Sequence, residues 1–150
     1  MPVNEPNARR ANWMAILARA TAGQIEDHLQ QAPPIPSHTS LRGPEVGLIM
    51  VRGRAGGGGT PFNLGEMTVA RCTVRNADAR IGHGYVPGRD LRHAELAAML
   101  DAALQDPALQ ERLSRAVIEP LAVYQEAVRC EVARKSAATR VEFVTMAAMR

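Results

Sequence analysis

Leu41 to Glu95 reads LRGPEVGLIMVRGRAGGGGTPFNLGEMTVARCTVRNADARIGHGYVPGRDLRHAE, and its changes of period decide the fold. Val46, Leu48, Met50, Arg52 and Arg54 alternate with Gly47, Ile49, Val51 and Gly53, the two-residue period of a strand. Glu66 to Arg75, rich in threonine and valine, predicts a second strand, closed by the turn Asn76-Ala77-Asp78. Arg80 to Val86 predicts a third, and a shorter strand is expected ahead of the first at about residues 37–42. Short connections between successive strands favour antiparallel pairing. After Gly88 the period lengthens. Asp90 is a good N-cap, and Leu91 to Leu104 reads as an alanine-rich amphipathic helix.

On the N-terminal side, residues 1–8 are expected to be loose. A helix then starts at Arg9 with Trp13, Ile16, Leu17 and Ala20 on one stripe. Gly23 is a candidate interruption before Ile25–Leu29, and Pro33, Pro34 and Pro36 stop the helix. On the C-terminal side, Asp106-Pro107 predicts a second capped helix carrying Leu109, Leu113 and Val117, which Pro120 bends or ends. A third helix runs from Leu121 to about Ala138 with Tyr124, Val128 and Val132 in phase, and Thr139–Met146 has the composition of a last strand. The expected fold is α+β: a small antiparallel sheet over about residues 37–87, packed with an N-terminal helix and C-terminal helices, in one domain spanning 1–150.

Composition narrows the function classes. Hydrophobic residues make up 46% of the chain, enough for a substantial core. The aromatics are Trp13, Phe62, Tyr85, Tyr124 and Phe143, too few for the stacking platforms of single-stranded nucleic-acid binding. Eight arginines stand against five acids between Leu41 and Glu95, so that stretch holds the chain's whole formal excess of +3. Cys72 and Cys130 have no CxxC spacing, which gives a zinc or disulfide framework no support. The N-terminus lacks a continuous apolar signal core and no run has the length of a membrane span, so a cytoplasmic location is expected, with no membrane or nucleic-acid partner.

Seven of the twelve glycines lie from Gly47 to Gly65, four of them in the run Gly56–Gly59. A phosphate-cradling loop needs Gly-Lys-Ser/Thr entering a helix, whereas here Thr60-Pro61-Phe62 leads into a strand, so the run reads as a hairpin loop. Arg52 and Arg54 share one strand face and Arg71 and Arg75 another; paired strands could merge them into a basic surface, or the arginines could be spent on Glu45 and Glu66. In Gly88-Arg89-Asp90-Leu91-Arg92-His93-Ala94-Glu95, the free amides of a capped helix start favour an anion, with Arg89 and His93 at the same end. His93 and Glu95 diverge around the helix, and His28, His38 and His83 share no ligand spacing, so neither a catalytic pair nor a metal site is assigned. The candidates for a substrate-binding or subunit-interface role are Arg52, Arg54, Gly56, Gly57, Arg89, Asp90, His93 and Glu95.

In order and spacing these residues resemble one family. Trp13-Met14, Leu41-Arg42, Pro44-Glu45, Gly47-Leu48, Met50, Arg52, Arg54 and Gly56-Gly57 carry the first half of the likeness. Phe62-Asn63-Leu64-Gly65-Glu66, Arg71-Cys72, Gly82, Tyr85-Val86, Gly88-Arg89-Asp90, His93-Ala94-Glu95 and Pro120-Leu121 carry the second. Together they are similar to the G subunit of the carbon–phosphorus lyase core complex, the PhnG family. The resemblance implies an accessory subunit of phosphonate catabolism, without chemistry or a bound cofactor of its own. It implies H, I and J subunits as partners, an L protein acting with them, and a complex that uses ATP. The reaction implied is transfer of ribose 5-triphosphate from ATP to a phosphonate, with release of adenine. The residues taken alone leave another reading open: a stand-alone binder of an anionic metabolite, using the arginine face and the helix start at Asp90.

Overall fold

Three strands pair in the order in which the chain makes them, and every pairing is antiparallel. The computed structural model describes residues 5–55 and 58–141. Helices α1 (Glu5–Arg19) and α2 (Ala22–Leu29) come first, followed by β1 (His38–Gly53), β2 (Phe62–Asn76) and β3 (Ile81–Pro87). Helix α3 (Leu91–Leu104) follows, then α4 (Pro107–Leu113), a π-helical turn over Ser114–Ile118, and α5 (Glu119–Ala138). This is the expected α+β arrangement of a small antiparallel sheet between N-terminal and C-terminal helices.

The two short strands expected at 37–42 and 46–54 are one long β1. Its register against β2 shifts between Ser40 and Arg42 and again between Arg42 and Glu45, where Gly43-Pro44 intervene. Proline has no donor for the ladder, but β1 is an edge strand and bulges absorb the irregularity without ending it.

Helix α3 lies on the sheet. Ala70, Cys72 and Val74 of β2 and Val86 of β3 are buried on the face it covers. Gly82 and Gly84 share that face, and a Cβ built on them would stand 2.1 Å from the Ala98 carbonyl oxygen and 2.0 Å from that of Ala94. The strand and helix backbones therefore touch, with Ala94, Ala98 and Ala102 forming the helix side of the contact. Helices α1, α2 and α4 wrap the rest, so α3 is buried almost all round, where an amphipathic helix with one wet face was expected. Trp13, on the apolar stripe of α1, is buried. Its indole Nε1–H donates to Asp101 Oδ1 at 2.9 Å.

Asp101 is fully buried in α3 and accepts three further hydrogen bonds. Arg10 donates from Nε (3.1 Å) and Nη2 (2.7 Å), and the His83 main-chain N–H from β3 (2.9 Å). A buried carboxylate is tolerated when each oxygen is satisfied, and this one binds α1 and β3 to α3.

Other expectations need correcting. Helix α1 begins at Glu5, inside the stretch expected to be loose, because Pro6 in a first turn gives up no helical bond. The break between the first helices falls at Thr21 rather than Gly23: Thr21 Oγ1 accepts from Gln24 N–H, and Gln24 Oε1 accepts from Thr21 N–H, a capping box. At Pro120, expected to bend or end its helix, the chain stays helical but irregular. The Glu119 N–H reaches back to the Ser114 carbonyl across the π-helical turn, which opens the ladder just where the proline ring would clash. Of the strand expected at Thr139–Met146, residues 139–141 join no sheet and the remainder lies outside the described residues.

Gly84→Ala should destabilise the chain by about 3 kcal/mol or more, at or above the top of the usual range of about 1–3 kcal/mol for forcing volume into a packed core, because the clash is with backbone. Urea unfolding should show it, and Gly23→Ala, with open space around the glycine, should show no such loss.

Candidate functional site

At the end of β3 the chain turns from sheet to helix in three residues. Gly88 adopts φ +95°, which a side chain would resist, and its N–H donates to the Thr68 carbonyl at 3.0 Å. Asp90 then caps α3, its Oδ1 accepting from His93 N–H at 2.9 Å. The four candidates of this segment separate. Arg89 is exposed and has no side-chain hydrogen bond or ion pair among the described residues. His93 turns inward and is buried, its ring Nε2–H donating to the Leu17 carbonyl at 2.7 Å. It fastens α3 to α1, and its ring faces the Leu17 carbonyl rather than the solvent at the helix start. Glu95 points away and joins a surface network: Arg92 donates to it at 2.9 Å and to Glu26 at 2.8 Å, with His38 Nε2 3.9 Å away. Hydrogen bonds to Glu26 and Glu95 hold the Arg92 pKa above its ordinary value.

Arg52 and Arg54 sit at the far end of β1, Arg52 opposite Asn63, and Arg54 Nη1 donates to the Gly59 carbonyl at 3.2 Å. Arg52 lies on the face that α3 covers further along the sheet. Arg71 lies on the other face, roughly 26 Å along β2 from Asn63. The basic surface that strand pairing might have formed from Arg52, Arg54, Arg71 and Arg75 is therefore not assembled. Arg71 is spent instead on Glu45: its Nε and that of Arg42 stand 2.7 and 2.6 Å from the same carboxylate oxygen. The Arg71 hydrogen bond, with Arg42 beside it, holds the Glu45 carboxyl below its ordinary pKa. Candidates Gly56 and Gly57 lie outside the described residues.

What sequence reading missed is the shape of this end of the molecule. Strand β3 pairs with β2 only from Val69 to Arg75, so β1 and β2 run on beyond it as a two-stranded arm from Leu48 to Thr68. Its side chains are exposed and apolar: Leu48 is 60% exposed, Met50 52% and Leu64 65%, with Phe62 and Met67 beside them. The signal was legible in one respect, since the strands of the first hairpin were predicted longer than the third. Arg89 and Asp90 stand at the root of this arm, because Gly88 is bonded to Thr68, which pairs with Leu48. Arg52 lies about 13 Å further along β1 on the same side of the sheet.

Burial, then the nearby Glu95 charge, pushes the Cys72 thiol up; the exposed Cys130 is pushed up by the hydrogen bond to Glu126 and its charge. No group of three or more His, Cys, Asp or Glu side chains among the described residues could hold a metal ion, and no described helix is long and apolar enough to cross a membrane.

The exposed apolar arm beside the helix start is the kind of surface that binds another chain. The family model described as "Phosphonate metabolism protein PhnG" matches residues 8–148. The chain belongs to this family. A relative from Rhizobium meliloti (strain 1021), named alpha-D-ribose 1-methylphosphonate 5-triphosphate synthase subunit PhnG, is 45% identical over 139 residues. The alignment covers 93% of this chain and 88% of the relative, so the arm, the helix start and the Asp101 node all lie within the family match at residues 8–148.

His93→Ala should cost about 2–4 kcal/mol in thermal or urea unfolding, since it opens a cavity and orphans the Leu17 carbonyl. In the isolated chain, Glu126→Gln should speed alkylation of Cys130 at pH 7–8. Removing the charge that raises the thiol pKa enlarges the thiolate fraction, whereas Cys72 should stay unlabelled in both proteins.

Proposed function

We propose that this chain is an accessory subunit of the synthase that makes alpha-D-ribose 1-methylphosphonate 5-triphosphate. It is required, with H, I and L proteins, for transfer of ribose 5-triphosphate from ATP to a phosphonate with release of adenine. The observation that carries the reading is the 45% identity across nearly the whole chain to a named subunit of that synthase. The molecule is built consistently with it. The described residues hold no paired general acid and base in a cleft. Large apolar side chains are exposed on two elements reaching beyond the core: the arm, and α5 with Val123, Tyr124, Val128 and Val132. Exposure on this scale marks surfaces that bind other chains. H, I and J subunits are the partners proposed for them, in the cytoplasm, and ATP is consumed by the assembly rather than held here.

Arg89 is the residue of this chain best placed to influence the anionic substrates: exposed, unpaired among the described residues, and set beside the first amides of α3.

The test is reconstitution from separately purified proteins with ATP and methylphosphonate, following adenine release. Omitting this chain should abolish the release, and the chain alone should release none. Undiminished release without it would overturn the reading. Arg89→Ala should lower adenine release per assembled complex, whereas His93→Ala should lower assembly and activity in step.

A further inference from the structure

We propose that the open edge of β2 from Phe62 to Met67 receives an extended segment of another subunit, which adds to the sheet as a strand in line with β3. The inference rests on the subunit reading above and specifies how the subunit docks.

β3 leaves the sheet at Pro87, opposite Val69, and the left-handed Gly88 swings the chain into α3. Beyond that point β2 keeps β1 on one side and, among the described residues, has no strand on the other. The Thr68 carbonyl takes the Gly88 amide, so Thr68 turns its main-chain groups to the β3 side. Two residues on, the strand period turns those of Glu66 the same way, toward the gap. Unpaired strand groups are best satisfied by another strand, and the six residues offer roughly 20 Å of edge, a usual strand length.

The side chains agree. Leu48 and Met50 on one face and Ile49, Val51 and Met67 on the other leave a two-stranded ribbon with apolar side chains on both sides, which is marginal in water without a third strand. Natural edges are protected by prolines, charges or bulges. Proline and a salt-bridged bulge guard β1 at Arg42–Glu45, whereas β2 from Phe62 to Met67 carries one acid, Glu66, and a single register shift at Leu64, past which the ladder continues to Phe62. Charge separates the possible occupants. Arg52, opposite Asn63 on the neighbouring strand, and Arg89, next to the Gly88 bonded to Thr68, put positive charge near the two ends of the edge, so a second copy would bring like charges together, whereas a segment of alternating apolar residues flanked by acidic ones would meet both the surface and its charge.

Hydrogen–deuterium exchange of the peptide covering residues 62–68, in the assembled synthase and in the isolated chain, tests this. Assembly should slow exchange there by roughly tenfold or more. Glu66→Pro removes the outward amide while leaving the β1 ladder intact and should abolish co-purification with the other subunits. Glu66→Ala, which keeps the amide, should assemble like the natural chain. Circular dichroism of each isolated variant checks the fold; if Glu66→Pro unfolds, the exchange comparison on the natural chain decides alone. The proposal is overturned if the chain co-purifies with the other subunits while residues 62–68 exchange as fast as in isolation, an outcome that leaves the subunit reading standing. Protection that appears in the isolated chain as its concentration rises would mean a second copy takes the edge and would also overturn it. Failure to assemble with any other subunit would overturn both readings.

Discussion

At Gly82 and Gly84 the backbone of β3 lies against the backbone of α3 with no side chain between them, and the rest of the molecule is arranged around that contact. Two ångströms separate a hypothetical Cβ from a helix carbonyl oxygen, a distance no packing adjustment of a side chain relieves. The helix must therefore present its small residues there, which Ala94, Ala98 and Ala102 do at a spacing of four. With its alanine face used on the sheet, α3 turns Leu96, Leu100 and Leu104 to the other elements of the core and becomes the central helix. The buried Asp101 then supplies what apolar packing lacks, directionality. Its oxygens fix where Arg10 and Trp13 of α1 and the main chain of β3 must sit.

The same contact determines what is left uncovered. α3 runs back over β3 from a start at the end of that strand, so the helical layer stops where β3 stops, and β1 and β2 continue past it alone. The arm follows from a seven-residue β3 beside strands of fifteen and sixteen residues. Its exposed leucines and methionines would ordinarily be a liability, and in a family whose named relative is a synthase subunit they are a reason to expect a partner. The helix start with Arg89 and Asp90 lies at the root of that arm for the same topological reason.

The chain's arginines show how far charge content alone misleads. Between Leu41 and Glu95 they look like a basic patch, yet Arg71 and Arg42 share one carboxylate, Arg92 serves two, and Arg80 pairs with Asp78 and Asp106. The arginines of this stretch without an acidic partner among the described residues are spread along the sheet: Arg52 and Arg54 near the tip of the arm, Arg89 at its root, and Arg75 toward the far end of β2. Their separation makes them poor partners for one small ligand and suits them to a surface shared with another chain.

The sequence by itself determined the element types and most of their ends. The two-residue alternation, the Asp90 and Asp106 caps and the Pro33–Pro36 stop are local signals, satisfied by interactions within a few residues. The family likeness was legible for a related reason, since it lives in order and spacing along the chain. Only the tertiary structure decided that His93 is a buried tether to Leu17, that Asp101 is the hub of the core, and that Arg52 and Arg71 occupy opposite faces. Each of these depends on residues separated by tens of positions along the chain. Sequence period says which residues share an element's face, but which face is covered, and where cover ends, is set by the lengths of neighbouring elements and how closely their backbones approach.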